Sequence, residues 1–160
     1  MGLVLYQNGN PQDAIPYIER AIHTNSTFHD FHNSLGLCLR AIGHVREAVS
    51  QFEMALSIKS DFMEAAFNLG LSWQQLNEWD RATFVYKQVV DQSLDLGTDP
   101  LNIDTSNTLA LEAQIRLCDL LQGLSHWNDA LDCLDVAIAR WPNNPQLYHE
   151  RGTVELHVST

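Results

Sequence analysis

The chain has 160 residues, enough for one compact domain or a short repeat array, and 45% of them are hydrophobic, which argues against disorder. Nine Lys and Arg stand against 20 Asp and Glu, a formal net charge of −11. That balance argues against nucleic acid or an anionic membrane as the main partner, since both require a basic face, and leaves basic or neutral peptide surfaces as the easier ones.

Taken in chain order, hydrophobic periodicity and breaker residues predict helices over about 1–8, 11–24, 28–42, 45–58, 62–76, 79–94, 107–123, 127–140 and 144–158. No apolar run reaches the length of a membrane span. The opening Met1–Tyr6 segment lacks the basic region of a secretory leader, and Tyr6 stands where myristoylation needs Ser or Thr. Asn10 before Pro11 and Asn144 before Pro145 suit a cap followed by a first-turn proline. Asp61 and Ser125 are further cap candidates. Gly43 and Gly123 suit helix termination. The Asn25-Ser26-Thr27 sequon is read as a chance match.

The helices repeat. Gly2, Gly36 and Gly70 recur at equal steps, and each is followed by Leu. The same step links Ala14, Ala48 and Ala82. It links Ile18, Phe52 and Tyr86, and then Ala21, Ala55 and Val89. It also links Gly9, Gly43 and Asn77, residue types that tolerate positive φ. Ala130 lies beyond Ala82 by one step and an excess. Gly152 lies beyond Gly70 by two steps and the same excess. One insertion therefore explains both offsets. Trp79 and Trp127 each stand one short stretch before the repeat Ala, at matching positions, which fixes the register and reads them as packing residues.

The spacing, with Leu-Gly, then Ala, then an aromatic, then Pro, resembles the tetratricopeptide repeat, whose period is about 34 residues. The resemblance implies an all-α, right-handed solenoid of antiparallel helix pairs, with four to five repeats and one insertion. The repeats fall at about 1–27, 28–61, 62–94, 108–143 and 144–160, the last partial, with the insertion at about 95–107, all in a single domain. The chain departs from the family pattern at His32 and Ala66, where Trp is usual. It departs again at Cys118 in the Gly slot, and at Ser26 and Ser60, where only Pro142 keeps the terminal Pro. The chain begins partway through one pair and ends after the first helix of another. The last helix carries Leu147, Val154, Leu156 and Val158 without a polar capping face. We expect a segment of a longer solenoid, with self-association through the open ends.

The insertion region, Asp91 to Asn107, holds four Asp and no Lys or Arg, together with Gly97, Thr98 and Pro100. It is read as a solvated connection, with reshaping of the groove as the functional option.

In such a solenoid the first helix of each pair lines the binding face. The resemblance places Asn33, Ser34, Leu37 and Arg40 there, then Phe67, Asn68, Leu71 and Gln75. Ile115, Arg116 and Asp119 follow, and then His149 and Glu150. Asn and Gln suit an extended peptide backbone, and Leu and Phe add apolar contacts. Leu37 and Glu64 stand where chaperone-binding members carry their carboxylate clamp, so that clamp is not expected, although Asn68 matches. The array is similar to the repeats ahead of O-linked N-acetylglucosaminyltransferase domains only at Asn68, since Ser34, Arg116 and Glu150 hold the other asparagine positions.

Catalytic and metal chemistry find no support. His29 and His32 lie one helical turn apart near His23, but a metal site needs more ligands. Cys38, Cys118 and Cys133 form no CxxC pair, which excludes a zinc ribbon. Cys118 and Cys133 are read as small core residues, and the odd, sparse count fits a reducing, cytoplasmic compartment with no disulfide framework. There is no phosphate loop, nucleophile elbow or HExxH motif. The expected function is a protein–protein interaction scaffold without cofactor or metal. The alternative is the substrate-recruiting arm of a larger glycosyltransferase or methyltransferase.

Overall fold

The computed structural model of the chain describes residues 6–95 and 105–158. Eight helices lie within them. They are α1 (Pro11–Thr24), α2 (His29–Ala41), α3 (Val45–Ile58), α4 (Met63–Gln75), α5 (Trp79–Asp95), α6 (Thr105–Gly123), α7 (Trp127–Arg140) and α8 (Pro145–Val158). No strand occurs among the described residues, so the chain is all-α. Every bound falls close to its predicted place. The expected helix over 1–8 lies largely outside the described residues, as does the core of the insertion at 95–107. The chain divides into two compact units, one ending at Val85 and one beginning at Tyr86, so the division falls inside α5.

In the first unit α1 packs on α2, α2 on α3 and α3 on α4, with α2 also reaching α4. The repeat slots explain the packing. Ala14 and Ala48 are fully buried, as is Phe52 in the aromatic slot. A methyl built on Gly36 would meet the Phe52 ring at 2.6–2.9 Å. Gly36 therefore lets α3 lay a full ring against the backbone of α2. Burying such a ring stabilises the pair by about 1.5–3 kcal/mol.

The second unit keeps the same slots after the insertion. Ala130 and Leu134 are fully buried at the Ala and aromatic positions, and α6, α7 and α8 pack in sequence. Trp141 is buried at the end of α7, and its indole N–H donates to Asn107 Oδ1 at 3.2 Å.

Turn chemistry repeats as well. Gly9 (φ 81°), Gly43 (φ 89°), Asn77 (φ 59°) and Ser125 (φ 60°) are left-handed residues, all in one register. At Gly43 the amide donates to the Arg40 carbonyl at 3.1 Å, and His44 N–H reaches the Leu39 carbonyl at 2.9 Å. The same two bonds recur at Asn77–Glu78 and Ser125–His126. They satisfy carbonyls left open at each helix end.

Two of the expected helix caps are corrected. Ser125 is the left-handed turn residue and His126 the N-cap of α7, without a side-chain cap bond. Phe62, not Asp61, is the N-cap of α4. Asn10 is the N-cap of α1 ahead of Pro11 as expected, without a side-chain cap bond, and Asn144 Oδ1 accepts the Gln146 amide at 3.0 Å.

The cysteines are the larger correction. Cys118 on α6 and Cys133 on α7 form a disulfide, with Cα atoms 5.8 Å apart, and Cys38 is free and buried. The reason lies in the hairpin. Cys118 takes the Gly36 slot, and Cys133 takes the slot of Gln51. The disulfide withdraws the support that the cysteine count lent to a reducing compartment.

Candidate functional site

The residues placed on the first helices gather into two clusters, one in each unit.

In the first unit α2 and α4 bring Asn33, Arg40 and Asn68 together. Asn68 Nδ2–H donates to Asn33 Oδ1 at 3.2 Å, and Asn68 Oδ1 accepts from Arg40 Nη2 at 3.5 Å. Leu37 and Leu71 are half-buried and Gln75 is exposed. Ser34 and Phe67 are buried, so their side chains pack between helices and offer little surface. His32 is buried too. Its ring nitrogens pair with Gln51 Oε1 at 2.9 Å and the Ser26 carbonyl at 3.2 Å. His29 sets its ring edge-on to Phe62 with centroids 4.7 Å apart. The two histidines thus serve separate contacts. No three His, Cys, Asp or Glu converge on a metal-sized site among the described residues.

In the second unit the predicted Ile115, Arg116 and Asp119 line one side of a cavity of about 460 Å³ on α6, together with Thr108, Leu111 and Glu112. Asn144 and Gln146, at the start of α8, close the other side. The lining on α6 follows the three- and four-residue steps of one helix face. That stripe is readable in the sequence. Asn144 and Gln146 are not, because their place depends on how α8 docks.

Charge is unevenly spent in this cavity. Arg116 pairs with Glu112 at 3.3 Å along α6. Burial pushes the Asp119 carboxyl above the usual carboxylate range, with Arg116 pulling partly back. Burial also raises Glu150, which is opposed by a hydrogen bond from Gln146 and by His149 and reinforced by the Asp119 charge. Gln146 Nε2–H donates to Glu150 Oε1 at 2.7 Å, while Glu150 Oε2 is buried without a hydrogen-bond partner among the described residues. The Asp119 carboxylate on α6, which lines the cavity, and the Glu150 carboxylate on α8, which lies outside the lining, thus repel each other, a strain that a cation would relieve.

Trp79 and Trp127, read as packing residues, diverge. Trp79 is 37% exposed at the start of α5. Trp127 is half-buried and stacks on His157 with centroids 4.6 Å apart. No helix among the described residues is long and apolar enough to cross a membrane.

Known proteins match this arrangement at two levels. Models of the tetratricopeptide repeat match residues 1–62 and 64–93. No curated protein matches. Among solved structures, a crystal structure of MamA superposes with a TM-score of 0.80 at 15% identity, covering 99% of this chain and 85% of that one. The 41-end form of MamA from Desulfovibrio magneticus RS-1 gives 0.76 at 15% identity, covering 99% and 81%. A MamA AMB-1 structure gives 0.72 at 19% identity, covering 99% and 79%. At such identities the likeness speaks to the fold alone. The repeat register, the packing that it produces and the matched models together show that this chain belongs to the tetratricopeptide-repeat family.

Proposed function

We propose that the chain is a non-catalytic protein-interaction scaffold whose first helices bind a segment of a partner protein. Membership of a helical-repeat family supports the general reading. The observation that carries the specific one is the cavity between α6 and α8, where Asp119 stands beside the apolar Leu111 and Ile115 and Glu150, close enough to feel its charge, adds a second carboxylate behind the lining residue Gln146. A Lys or Arg of an extended segment fits that charge, and its aliphatic neighbours fit the apolar wall. The chain's net charge of −11 draws the same class of partner from a distance.

The first unit offers its own patch. Leu37, Leu71 and Gln75 keep accessible surface beside the Asn33–Asn68–Arg40 network. Asn33 and Asn68 hold that patch in shape as well as offering amides to a ligand. Ile115, Arg116 and Asp119 remain the first choices for direct contact.

The experiment is selection of peptides from a random library on the purified chain, followed by calorimetry. Selected sequences should carry Lys or Arg and should lose affinity to Asp119→Lys and Glu150→Lys while helicity by circular dichroism is unchanged. Binders that are neutral or acidic and indifferent to both substitutions would sink this reading.

A further inference from the structure

A second groove lies on the other side of α6. It has a volume of about 490 Å³ and belongs wholly to the second unit, walled by α5 and α7. Its floor and one wall are apolar, made by Val90, Leu117, Leu121 and the 57%-exposed Val136. Its rim carries Asp91, Asp129 and Asp132 against Lys87 as the one cation among the lining residues. Asp129 lies 3.7 Å from exposed His126.

The first unit contains a smaller pocket of about 360 Å³ between α3 and α5 that overlaps one end of this groove in register, at Glu53, Trp73 and Arg81 for Lys87, Leu121 and Asp129. There Trp73 supplies the floor, and the Arg81 guanidinium lies over the indole with its carbon 4.5 Å from the ring centroid. The offset that carries Ala82 to Ala130 carries Trp73 to Leu121 and Arg81 to Asp129. The aromatic filler is thus lost and the cation covering it is replaced by a carboxylate. The fold shows what this slot accommodates in one repeat and leaves it open in another.

We propose that the α5–α6–α7 groove docks a partner segment in which an aromatic residue is followed by Arg or Lys, the ring entering over Leu117 and Leu121 and the cation meeting Asp129 and Asp132. The cation over the ring repeats the pairing that Arg81 and Trp73 make within the chain. Cys133 lines the groove and is joined by its disulfide to Cys118 on α6. The Gln114 amide donates to the Cys133 carbonyl at 3.0 Å. Both tie α6 to α7, so the groove is held open before binding and little ordering cost remains. This groove is separate from the α6–α8 cavity, and neither reading depends on the other.

The test uses an acetylated, amidated peptide, Gly-Ser-Gly-Trp-Arg-Lys-Gly-Ser, titrated into the full chain with methyl-labelled Leu and Val at low salt. Saturable shifts are expected at Leu117, Leu121 and Val136. Affinity should fall about tenfold or more for Asp132→Lys and for a peptide with both cations replaced by Glu, as expected when an opposite charge becomes a like one. Asp132 is exposed, so the variant keeps the fold, and the Glu peptide tests the same charge on the unaltered chain. Asp119→Lys should leave this binding unchanged. Equal affinity for the Glu peptide, indifference to Asp132→Lys, or absence of saturable shifts at the three residues would each overturn the proposal.

Discussion

Asn68 and Asn33 stand 35 residues apart in sequence and share a hydrogen bond of 3.2 Å between α4 and α2. One residue beyond the repeat period, the bond stitches the first helices of consecutive repeats. A side-chain amide has four bonding positions. Asn68 spends one donor on Asn33 and one acceptor on Arg40, and its remaining capacity is what a peptide backbone could use.

Asn68→Ala should therefore cost about 1 kcal/mol of unfolding free energy, the ordinary net worth of such a bond. A urea double-mutant cycle with Asn33→Ala should show coupling between the two sites. Strict additivity would mean that the bond carries no stability.

Gly36→Ala should destabilise by about 1–3 kcal/mol, since the new methyl would press on the Phe52 ring and overpack the pair. Phe52→Leu should recover part of that loss in the Gly36→Ala background, although alone it costs stability. Thermal unfolding of the four chains decides it, and a harmless Gly36→Ala would contradict the close approach.

The Cys118–Cys133 disulfide closes a 15-residue separation. Loop-closure entropy for that length gives about 3 kcal/mol of stabilisation. Reduction, or Cys118→Ser with Cys133→Ser, should lower the urea midpoint accordingly, with no effect of reductant on the double variant. Intact mass under non-reducing conditions should show the loss of two hydrogens relative to the reduced chain.

Asp119 and Glu150 are both raised above the usual carboxylate range, chiefly by burial. A raised acid favours the protonated folded state. Its contribution is full below the unfolded value, about pH 4, and is lost as pH climbs through the raised folded value. Glu150→Gln should therefore stabilise the fold at neutral pH, with the gain shrinking as pH falls toward that of the free carboxyl. Urea midpoints at a series of pH values check the sign. A gain that grows on acidification would reverse it.

The readable parts of this molecule are those fixed by local chemistry. Ala14, Ala48, Ala82 and Ala130 are all fully buried, because the repeat step, interrupted once, returns each to the same helix contact. Gly9, Gly43 and Asn77 are legible as turn residues because positive φ restricts residue choice. Ser125 occupies the same slot with no such signature, and so it reads as a cap. The disulfide is hidden because Cys118 and Cys133 meet only once α6 and α7 have folded back on each other. Among the residues that the repeat register puts on the first helices, spacing alone does not separate Ser34 and Phe67, which turn inward, from Leu37 and Gln75, which keep surface. The docking of α8, which brings Gln146 and Glu150 to α6, likewise depends on tertiary packing.

The most direct measurement is an amide chemical-shift map of the full chain with a library-selected Lys- or Arg-bearing peptide. Shifts should concentrate on Leu111, Ile115, Arg116 and Asp119 of α6 and on Gln146 and Glu150 of α8, and Asp119→Lys should abolish them. A map confined to the face formed by α5 and α7, or one unaltered by Asp119→Lys, would contradict binding in the α6–α8 cavity.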